Sequence, residues 1–299
     1  MSKKILITGG RGFIARSLYE NLNNCYFVPL EKNIISHGRQ ELDLLDSEKV
    51  FNFIKQNNFD VVIHSATYDA VPEFTNKSAS KVLENNLKMF FNLARCKDYF
   101  GKMLYFGSGA EAGRQNWIPK MNEEYIVNRV PDDQYGYSKH IMNEYASLSK
   151  NIYNLRLFGL FGKYDDWRYR FISNACCKAI LNKQIVINQN VFFDYMYIND
   201  FCNIVKWFIE NIPKQQSYNV CTGVAHDYVG IANMIRKISK NNIEVELKSE
   251  EMRKQYSGDN SLLQKEINYD FQPIEDSIEE LYGWYKKNKN IIREENFLY

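Results

Sequence analysis

A glycine-containing turn between a short apolar strand and a helix constrains this chain more than any other feature. The segment Ile5-Leu6-Ile7 runs into Thr8-Gly9-Gly10-Arg11-Gly12-Phe13-Ile14-Ala15, and a helix with one apolar face follows. Gly9 permits a tight turn, Gly12 lets the backbone approach a pyrophosphate, and Ala15 is small enough for close helix–strand packing. The N-terminus of the helix would direct free N–H groups at phosphates. The pattern predicts a dinucleotide-binding turn.

The first half of the chain alternates apolar strands with amphipathic helices. Further strands are predicted at Cys25–Leu30, Val61–Ile63 and Met103–Phe106, and Asp46-Ser47 is predicted to cap a helix. Continuous apolar strands separated by amphipathic helices are typical of a parallel sheet covered on both faces. The fold class is therefore predicted to be α/β, with a doubly wound parallel sheet of the Rossmann type.

The alternation loosens after about residue 158. Residues 193–200 and 218–222 read as strands, residues 243–263 as a small strand plus loop, and Ser277–Lys289 as a last helix. We predict a dinucleotide-binding Rossmann domain over residues 1–160 and a smaller C-terminal lobe over 161–299. The two are expected to be partly interleaved, with segments near 192–222 returning to the Rossmann domain.

The net charge and the positions of the cysteines indicate which partners and metal sites to expect. The 299 residues include 38 basic and 36 acidic ones, which gives a net charge of +2. This balance gives no sign of a nucleic-acid or membrane partner, and no apolar stretch approaches the length of a membrane span. The six cysteines are scattered without a C-x-x-C pair, so no metal site is expected. We expect a cytoplasmic protein with reduced thiols and no secretory leader.

Residues after the second predicted strand bear on the choice of cofactor. An acid there would bind the ribose hydroxyls of NAD, and an arginine would accept the 2′-phosphate of NADP. Glu31 would suit NAD, but Lys32 follows it, and Arg39 and Arg11 add positive charge. NADP(H) is therefore favoured, with NAD(H) as the alternative. Asp43 could hold the adenine edge or could simply cap its own loop.

A tyrosine, a lysine and a serine form the candidate catalytic group. Tyr135 and Lys139 are spaced i and i+4 on a predicted helix and so share one face. A tyrosine needs a neighbouring cation to stabilise its phenolate, and Lys139 is expected to provide it. Ser108 follows a predicted parallel strand, at the sheet edge where doubly wound folds bind ligands. Its hydroxyl could bond a carbonyl oxygen that gains charge during reduction.

Together these residues resemble the extended short-chain dehydrogenase/reductase family, of the NAD-dependent epimerase/dehydratase type, over nearly the whole chain. Residues 8–15 match its cofactor turn, residues 60–66 its fourth strand, and Ser108, Tyr135 and Lys139 its catalytic triad. Asn86 matches an asparagine that supports the site, and His64 is interpreted as structural. The resemblance implies cofactor contacts at Gly9, Arg11, Gly12, Phe13, Ile14, Arg39, Asp43, Leu44, Ser65, Ala66 and Lys139.

Within the family the chain is most similar to the GDP-L-fucose synthase-like reductases of 4-keto nucleotide sugars. That group has a proton-transferring cysteine two residues after the serine and a histidine in the substrate loop. Here the positions hold Ala110 and Arg170, and Phe193 stands where a nucleotide-binding arginine is usual. The resemblance implies that residues 1–160 bind NAD(P) and that residues 161–299 form the nucleotide-sugar-binding lobe. It also implies substrate contacts at Ser108, Tyr135, Arg170, Lys178 and Asp194.

The sequence thus predicts an NADPH-dependent 4-keto reductase without epimerase activity. The expected substrate is a GDP-linked 6-deoxyhexose or heptose, for a surface polysaccharide, and the resemblance implies a homodimer through the helix of Tyr135. The alternatives are an epimerase-reductase, a 4-epimerase or a 4,6-dehydratase. Glu111 lies three residues after Ser108 rather than two, which disfavours the dehydratase. A non-catalytic NADP-sensing protein is a remote alternative, because it would be expected to lose the triad.

Overall fold

The structure, a computed structural model, describes residues 3–22, 42–69 and 77–297. Its strands are β1 (Ile5–Thr8), β2 (Phe59–His64), β3 (Phe100–Ser108), β4 (Ile152–Leu157), β5 (Gly159–Phe161), β6 (Ile185–Ile187), β7 (Phe192–Tyr197), β8 (Ser217–Val220), β9 (Ala225–Asp227) and β10 (Val245–Leu247). Its α-helices are α1 (Phe13–Asn21), α2 (Ser47–Asn57), α3 (Val82–Ala94), α4 (Glu123–Val127), α5 (Gln134–Ser147), α6 (Phe171–Ile180), α7 (Ile198–Glu210), α8 (Tyr228–Ser239), α9 (Ser261–Ile267) and α10 (Ile274–Lys287). The strand predicted at Cys25–Leu30 lies outside the described residues.

Five of these strands form one parallel sheet in the order β1-β2-β3-β4-β8. The register aligns Thr8 with His64 and Ser108 with Leu157, so these strands end along one edge of the sheet. Parallel strands place their carboxyl ends together, and such an edge is where open α/β sheets bind ligands.

The strands of this sheet are buried over most of their length, because apolar side chains cover both of its faces. Ile5 and Ile7 pack with α1 and α7, whereas Leu6 points into a second core with α2, α3 and α5. At ~25 cal/mol per Å² of buried apolar surface, two such layers supply most of the driving force for folding. The predicted doubly wound α/β fold is confirmed.

The remaining strands form smaller sheets beside the main one. Strand β7 pairs parallel with β5 and antiparallel with β9, and β6 pairs parallel with β10. The strand predicted over residues 193–200 ends at Tyr197, because Ile198 begins a helix whose apolar face is buried in the core. The last helix begins at Ile274, directly after Pro273, three residues earlier than predicted. Among the described residues, no helix has the length and apolar character to cross a membrane.

Candidate active site

The predicted dinucleotide-binding turn has the geometry that its glycines require. Gly9 has a φ of +75°, and a Cβ there would lie 2.8 Å from the backbone of Ala66. The Gly12 N–H donates to the Gly9 carbonyl at 2.8 Å, and helix α1 starts at Phe13. Gly12 is the N-cap and has no side chain with which to cap the first N–H groups of the helix. These groups and the close backbone approach fit a pyrophosphate.

Thr8 and His64 hold the floor of this turn. The Thr8 Oγ1 accepts a hydrogen bond from the Ala66 N–H at 3.1 Å and lies 3.0 Å from the His64 Nδ1. Burial, with a smaller effect of the Lys139 charge, lowers the pKa of His64 to about 3. Its imidazole is therefore neutral at pH 7, which supports the structural interpretation of this residue.

The other predicted cofactor contacts fall into three groups. Ser65 and Ala66 follow β2 directly beside Gly9, and Phe13 and Ile14 pack on the core at the start of α1. Arg11 is exposed on the turn, and Leu44 is buried. The Asp43 carboxylate accepts from the Leu45 N–H at 3.0 Å, as the loop-capping alternative requires. Glu31, Lys32 and Arg39 lie outside the described residues.

Ser108 lies at the carboxyl end of β3, where the chain enters a 3₁₀ turn. Its Oγ accepts from the Ala110 N–H at 3.2 Å, and its own N–H donates to the Glu111 carboxylate at 2.9 Å. Glu111 is in turn ion-paired with Arg156 of β4, with 2.7 Å between Nε and Oε2. The serine is thus held through its backbone by a buried carboxylate.

Helix α5 presents Tyr135 and Lys139 to this serine turn. Asp133 caps the helix by accepting from the Gly136 N–H at 2.8 Å, and a Cβ on Gly136 would lie 2.5 Å from the Ala110 carbonyl oxygen. Only glycine therefore lets the helix approach the turn this closely. The Lys139 ammonium donates to the Phe106 carbonyl at 2.8 Å. The structure brings the three predicted catalytic residues into one region.

Burial is the main cause of the shifted pKa values of Tyr135 and Lys139. Burial, with the charge of Asp69, raises the pKa of Tyr135 to about 12, although Ser108 and Arg170 oppose the rise. The Lys139 ammonium is bonded to the Phe106 carbonyl and lies 5.8 Å from the centre of the tyrosine ring. Burial also lowers the pKa of Lys139 to about 8. Tyr135 is accordingly a protonated phenol at pH 7, the form that a proton donor needs.

Asn86 of α3 supports the loop that follows β2. Its side chain accepts from the Tyr68 N–H at 2.7 Å and donates to the Tyr68 carbonyl at 3.0 Å. It is 1% exposed. This paired bond fixes the loop that carries Asp69, consistent with the supporting role that the resemblance implies.

A cavity of about 720 Å³ lies beside the candidate catalytic residues, and most of its lining comes from the part of the chain after β4. Its cationic lining residues are Arg114, Arg170, Lys178, Arg253 and Lys254. Among the described residues that line it, Asp165 is the single acid, and burial raises the pKa of this carboxyl to about 6. The excess of positive charge suits an anionic ligand. Two predicted substrate residues, Arg170 and Lys178, are in this lining.

Aromatic rings form one wall of the same cavity. Phe171 and Tyr228 stack with ring centres 3.9 Å apart and planes 7° apart, and Phe193 stacks on Tyr195 at 4.8 Å. Flat rings of this kind suit a nucleobase or a sugar face. The sequence analysis noted Phe193 only because it replaces an arginine that is usual in the family. In the structure it belongs to this aromatic wall.

Asp194 lies away from the cavity lining. It is fully buried, and its carboxylate accepts from the Thr222 hydroxyl at 2.7 Å and from the N–H groups of Thr222 and Gly223. Burial raises its pKa to about 6, although these hydrogen bonds oppose the rise. Asp194 is therefore not in the cavity lining with Arg170 and Lys178, and its carboxylate joins β7 to the loop after β8.

The sequence reasoning missed several residues around the cavity. Arg253 and Lys254 line it, and Tyr256, three residues beyond Arg253, reaches Ser108. Arg253 and Lys254, followed by Tyr256, form a pattern that could have indicated a binding segment. The neighbouring sequence does not indicate that this segment packs against the serine turn. Trp117, whose ring centre lies 4.2 Å from that of Tyr256, was missed for the same reason.

A model of the NAD dependent epimerase/dehydratase family matches residues 5–221. An ADP-L-glycero-D-manno-heptose-6-epimerase of Brachyspira hyodysenteriae is 24% identical over 79% of this chain and 81% of its own length. A GDP-6-deoxy-D-talose 4-dehydrogenase of Aggregatibacter actinomycetemcomitans is also 24% identical, over 93% of this chain and 97% of its own.

Two solved structures share the fold. A UDP-glucose 4-epimerase of Thermotoga maritima with UDP-glucose has a TM-score of 0.81 at 15% identity, and covers 96% of this chain and 99% of its own. A GDP-mannoheptose C4 reductase of Campylobacter jejuni with NADP bound has a TM-score of 0.79 at 19% identity, and covers 95% and 98%.

Proposed function

Since the chain belongs to the NAD-dependent epimerase/dehydratase family and is an oxidoreductase of nucleotide sugars, we propose that it reduces a 4-keto nucleotide sugar with NADPH. The observation that carries the proposal is the juxtaposition of Ser108, Tyr135 and Lys139 with a cavity lined by cations and aromatic rings. The first group can reduce a carbonyl, and the second can hold a nucleoside diphosphate.

The cofactor would be held by the Gly9–Ala15 turn, with Ser65 and Ala66 beside it and Lys139 on the ribose. When bound, the nicotinamide supplies the hydride. Ser108 donates a hydrogen bond to the substrate carbonyl oxygen, and Tyr135 donates the proton that this oxygen takes up. Arg11 and Arg39 favour the phosphate-bearing cofactor, NADP(H), over NAD(H).

The carrier nucleotide would occupy the cavity. Arg170, Lys178, Arg253 and Lys254 would neutralise the diphosphate, and the aromatic wall would stack on the base or sugar. GDP is the favoured carrier, because the 4-dehydrogenase relative and the C4 reductase neighbour are both named for GDP-linked sugars. The sugar would be a 6-deoxyhexose or a heptose, destined for a surface polysaccharide, and the protein would act as a homodimer.

Reduction without epimerisation is the second part of the proposal. Moving a proton beside a ketone needs an acid and a base that can exchange protons near pH 7. Ala110 cannot transfer a proton. Desolvation by the surrounding protein opposes the charge of Arg170, whose side chain is still 55% exposed, but the neighbouring Asp165 and Tyr169 raise its pKa on balance, so Arg170 cannot release one. Glu111 is ion-paired with Arg156 inside the protein, which argues against a dehydratase role.

The test is the reaction in D₂O with unlabelled NADPH and a GDP-linked 4-keto-6-deoxyhexose, with product analysis by NMR. We expect NADPH oxidation, no carbon-bound deuterium at C3 or C5, and unchanged configuration there, after subtraction of exchange in an enzyme-free control. Enzyme-dependent deuterium at either carbon would return the chain to the epimerase-reductases. Absence of NADPH oxidation with GDP-, ADP- and UDP-linked keto sugars alike would refute the reductase.

A binding measurement tests the cavity separately. Arg253→Ala/Lys254→Ala should weaken GDP binding about 10-fold or more, as expected for loss of charge-assisted bonds to a diphosphate. The matched control is Lys286→Ala/Lys287→Ala, which removes two adjacent exposed cations at the end of α10. Equal affinities for the two double variants would place the nucleotide elsewhere.

A further inference from the structure

We propose that Tyr256, from the C-terminal part of the chain, is a positioning residue that aligns the Ser108 hydroxyl with the substrate carbonyl. This inference rests on the proposed reductase function. The Tyr256 hydroxyl lies 3.4 Å from the Ser108 Oγ, and both side chains are nearly buried. They are 148 positions apart in the chain, so the contact exists only in the folded protein.

The backbone and the ring of Tyr256 are both fixed. Its N–H donates to the Phe192 carbonyl and its carbonyl accepts from the Asp194 N–H, each at 2.9 Å. Its ring packs against three rings that line the cavity, with centre distances of 4.2 Å to Trp117, 4.7 Å to Phe193 and 5.1 Å to Phe158. The hydroxyl therefore meets Ser108 from the cavity side of the serine turn.

Gly109 makes room for this hydroxyl. A Cβ on that residue would lie 2.7 Å from the Tyr256 oxygen, closer than side chains approach one another. The glycine directly after the serine thus permits the contact, which supports a built arrangement rather than an incidental one.

The contact with Tyr256 matters because a serine hydroxyl can make only a few hydrogen bonds. A hydroxyl has one proton to donate and two lone pairs to accept with. The Ala110 N–H fills one lone pair of Ser108. Either hydroxyl of the Tyr256–Ser108 contact can be the donor, and the inference is that Tyr256 donates and fills the other lone pair. The single serine proton is then left for the side that faces Tyr135, with which Ser108 also bonds and where the substrate oxygen would lie. In the opposite orientation Ser108 would give that proton to Tyr256 and could not polarise the carbonyl. Burial raises the pKa of Tyr256, which keeps its hydroxyl protonated and able to donate.

The experiment is a double-mutant cycle of Tyr256→Phe and Ser108→Ala, with kcat and KM measured for a 4-keto nucleotide sugar at saturating NADPH. Phenylalanine keeps the packed ring and removes only the oxygen. Losing one aligned hydrogen bond should lower kcat about 10-fold with KM within about threefold. In the Ser108→Ala background the same change should have an effect of less than about twofold, because a residue that acts through Ser108 has nothing left to align.

The matched control is Tyr153→Phe, which removes a hydroxyl bonded to the Lys150 carbonyl, away from the serine turn. It should retain wild-type kcat. Equal kcat for Tyr256→Phe and wild type, or equal losses in both serine backgrounds, would overturn the inference while the reductase proposal stands. A wild-type protein inactive on keto sugars would instead refute the reductase. In that case the double-mutant cycle is measured with the nucleotide-sugar reaction that the protein does catalyse. The effect of Tyr256→Phe should again be lost in the Ser108→Ala background.

Discussion

The Glu111 carboxylate and the Arg156 guanidinium form an ion pair 2.7 Å long that solvent does not reach, with side-chain exposures of 1% and 0%. Each also has a second partner: Glu111 accepts from the Ser108 N–H, and the Arg156 Nη1 donates to Asn219 of β8 at 3.0 Å. The pair therefore links the serine turn to two neighbouring strands of the sheet.

Removing one member of this pair should destabilise the fold strongly. Arg156→Met leaves the Glu111 charge buried without its partner, which typically costs ~3–5 kcal/mol of unfolding free energy. Adding Glu111→Gln removes that charge and retains an acceptor for Ser108, so the double variant should recover part of the loss. Urea unfolding of the three proteins measures both values. A double variant less stable than Arg156→Met would show that the charge is not the cause.

Tyr135→Phe tests the proton donor. The hydroxyl is the only atom removed, so substrate and cofactor should still bind, while kcat should fall about 10²–10⁴-fold. Steady-state kinetics give kcat, and equilibrium titration gives the affinities. Tyr137→Phe is the matched control, because Tyr137 lies on the same helix but is exposed. Activity of Tyr135→Phe within threefold of wild type would remove this residue from the mechanism.

The pH profile should carry the signature of Lys139. Burial lowers the pKa of this group to about 8 in the free protein, so its positive charge is lost as the pH rises through that value. We expect kcat/KM for NADPH to decline above about pH 8, towards a tenfold fall per pH unit. Lys139→Arg keeps its charge to higher pH and should lack this decline, even if its activity is lower. An identical alkaline limb in both proteins would assign the titration to another group.

Cofactor preference should depend on Arg11 and Arg39. The double change to alanine should raise KM for NADPH about 10-fold or more and alter KM for NADH by less than about twofold, because only NADPH carries the 2′-phosphate. Arg293→Ala, which changes an exposed arginine far along the chain, serves as the control. If the wild-type protein has equal kcat/KM with both cofactors, the phosphate assignment fails and Glu31 becomes the ribose ligand.

Local patterns predicted the fold well, and the structure places Ser108, Tyr135 and Lys139, which local patterns also singled out, in one region. The glycine turn, the Asp46 cap of α2 and the i, i+4 spacing on α5 each depend on neighbours within a few residues. The cavity was harder to predict, because its lining comes from five separate stretches between Arg114 and Lys254. The family that the motifs resemble is confirmed, whereas the individual site residues stay predictions.

The pKa of Tyr135 and the surroundings of Asp194 could not be predicted from the sequence, because both depend on contacts between distant parts of the chain. The pKa of Tyr135 depends on burial and on charges from distant parts of the chain such as Asp69, and neither follows from the spacing of Tyr135 and Lys139 on a helix. The substrate role predicted for Asp194 stays a prediction, and its burial and its bonds to Thr222 and Gly223 depend on how β7 meets the loop after β8.

The pairing of β8 with β4 determines when the central sheet can be completed during synthesis of the chain. A nascent chain that has emerged only as far as residue 160 contains the glycine turn and all three residues of the catalytic group, yet it lacks the strand that closes the sheet. Its β4 edge presents unpaired N–H and C=O groups, and Arg156 has no Asn219 to bond. Such an edge is a template for aggregation. The catalytic half therefore cannot finish folding before Val220 is synthesised, and a fragment cut at residue 160 should be recovered as aggregate rather than as a cofactor-binding domain.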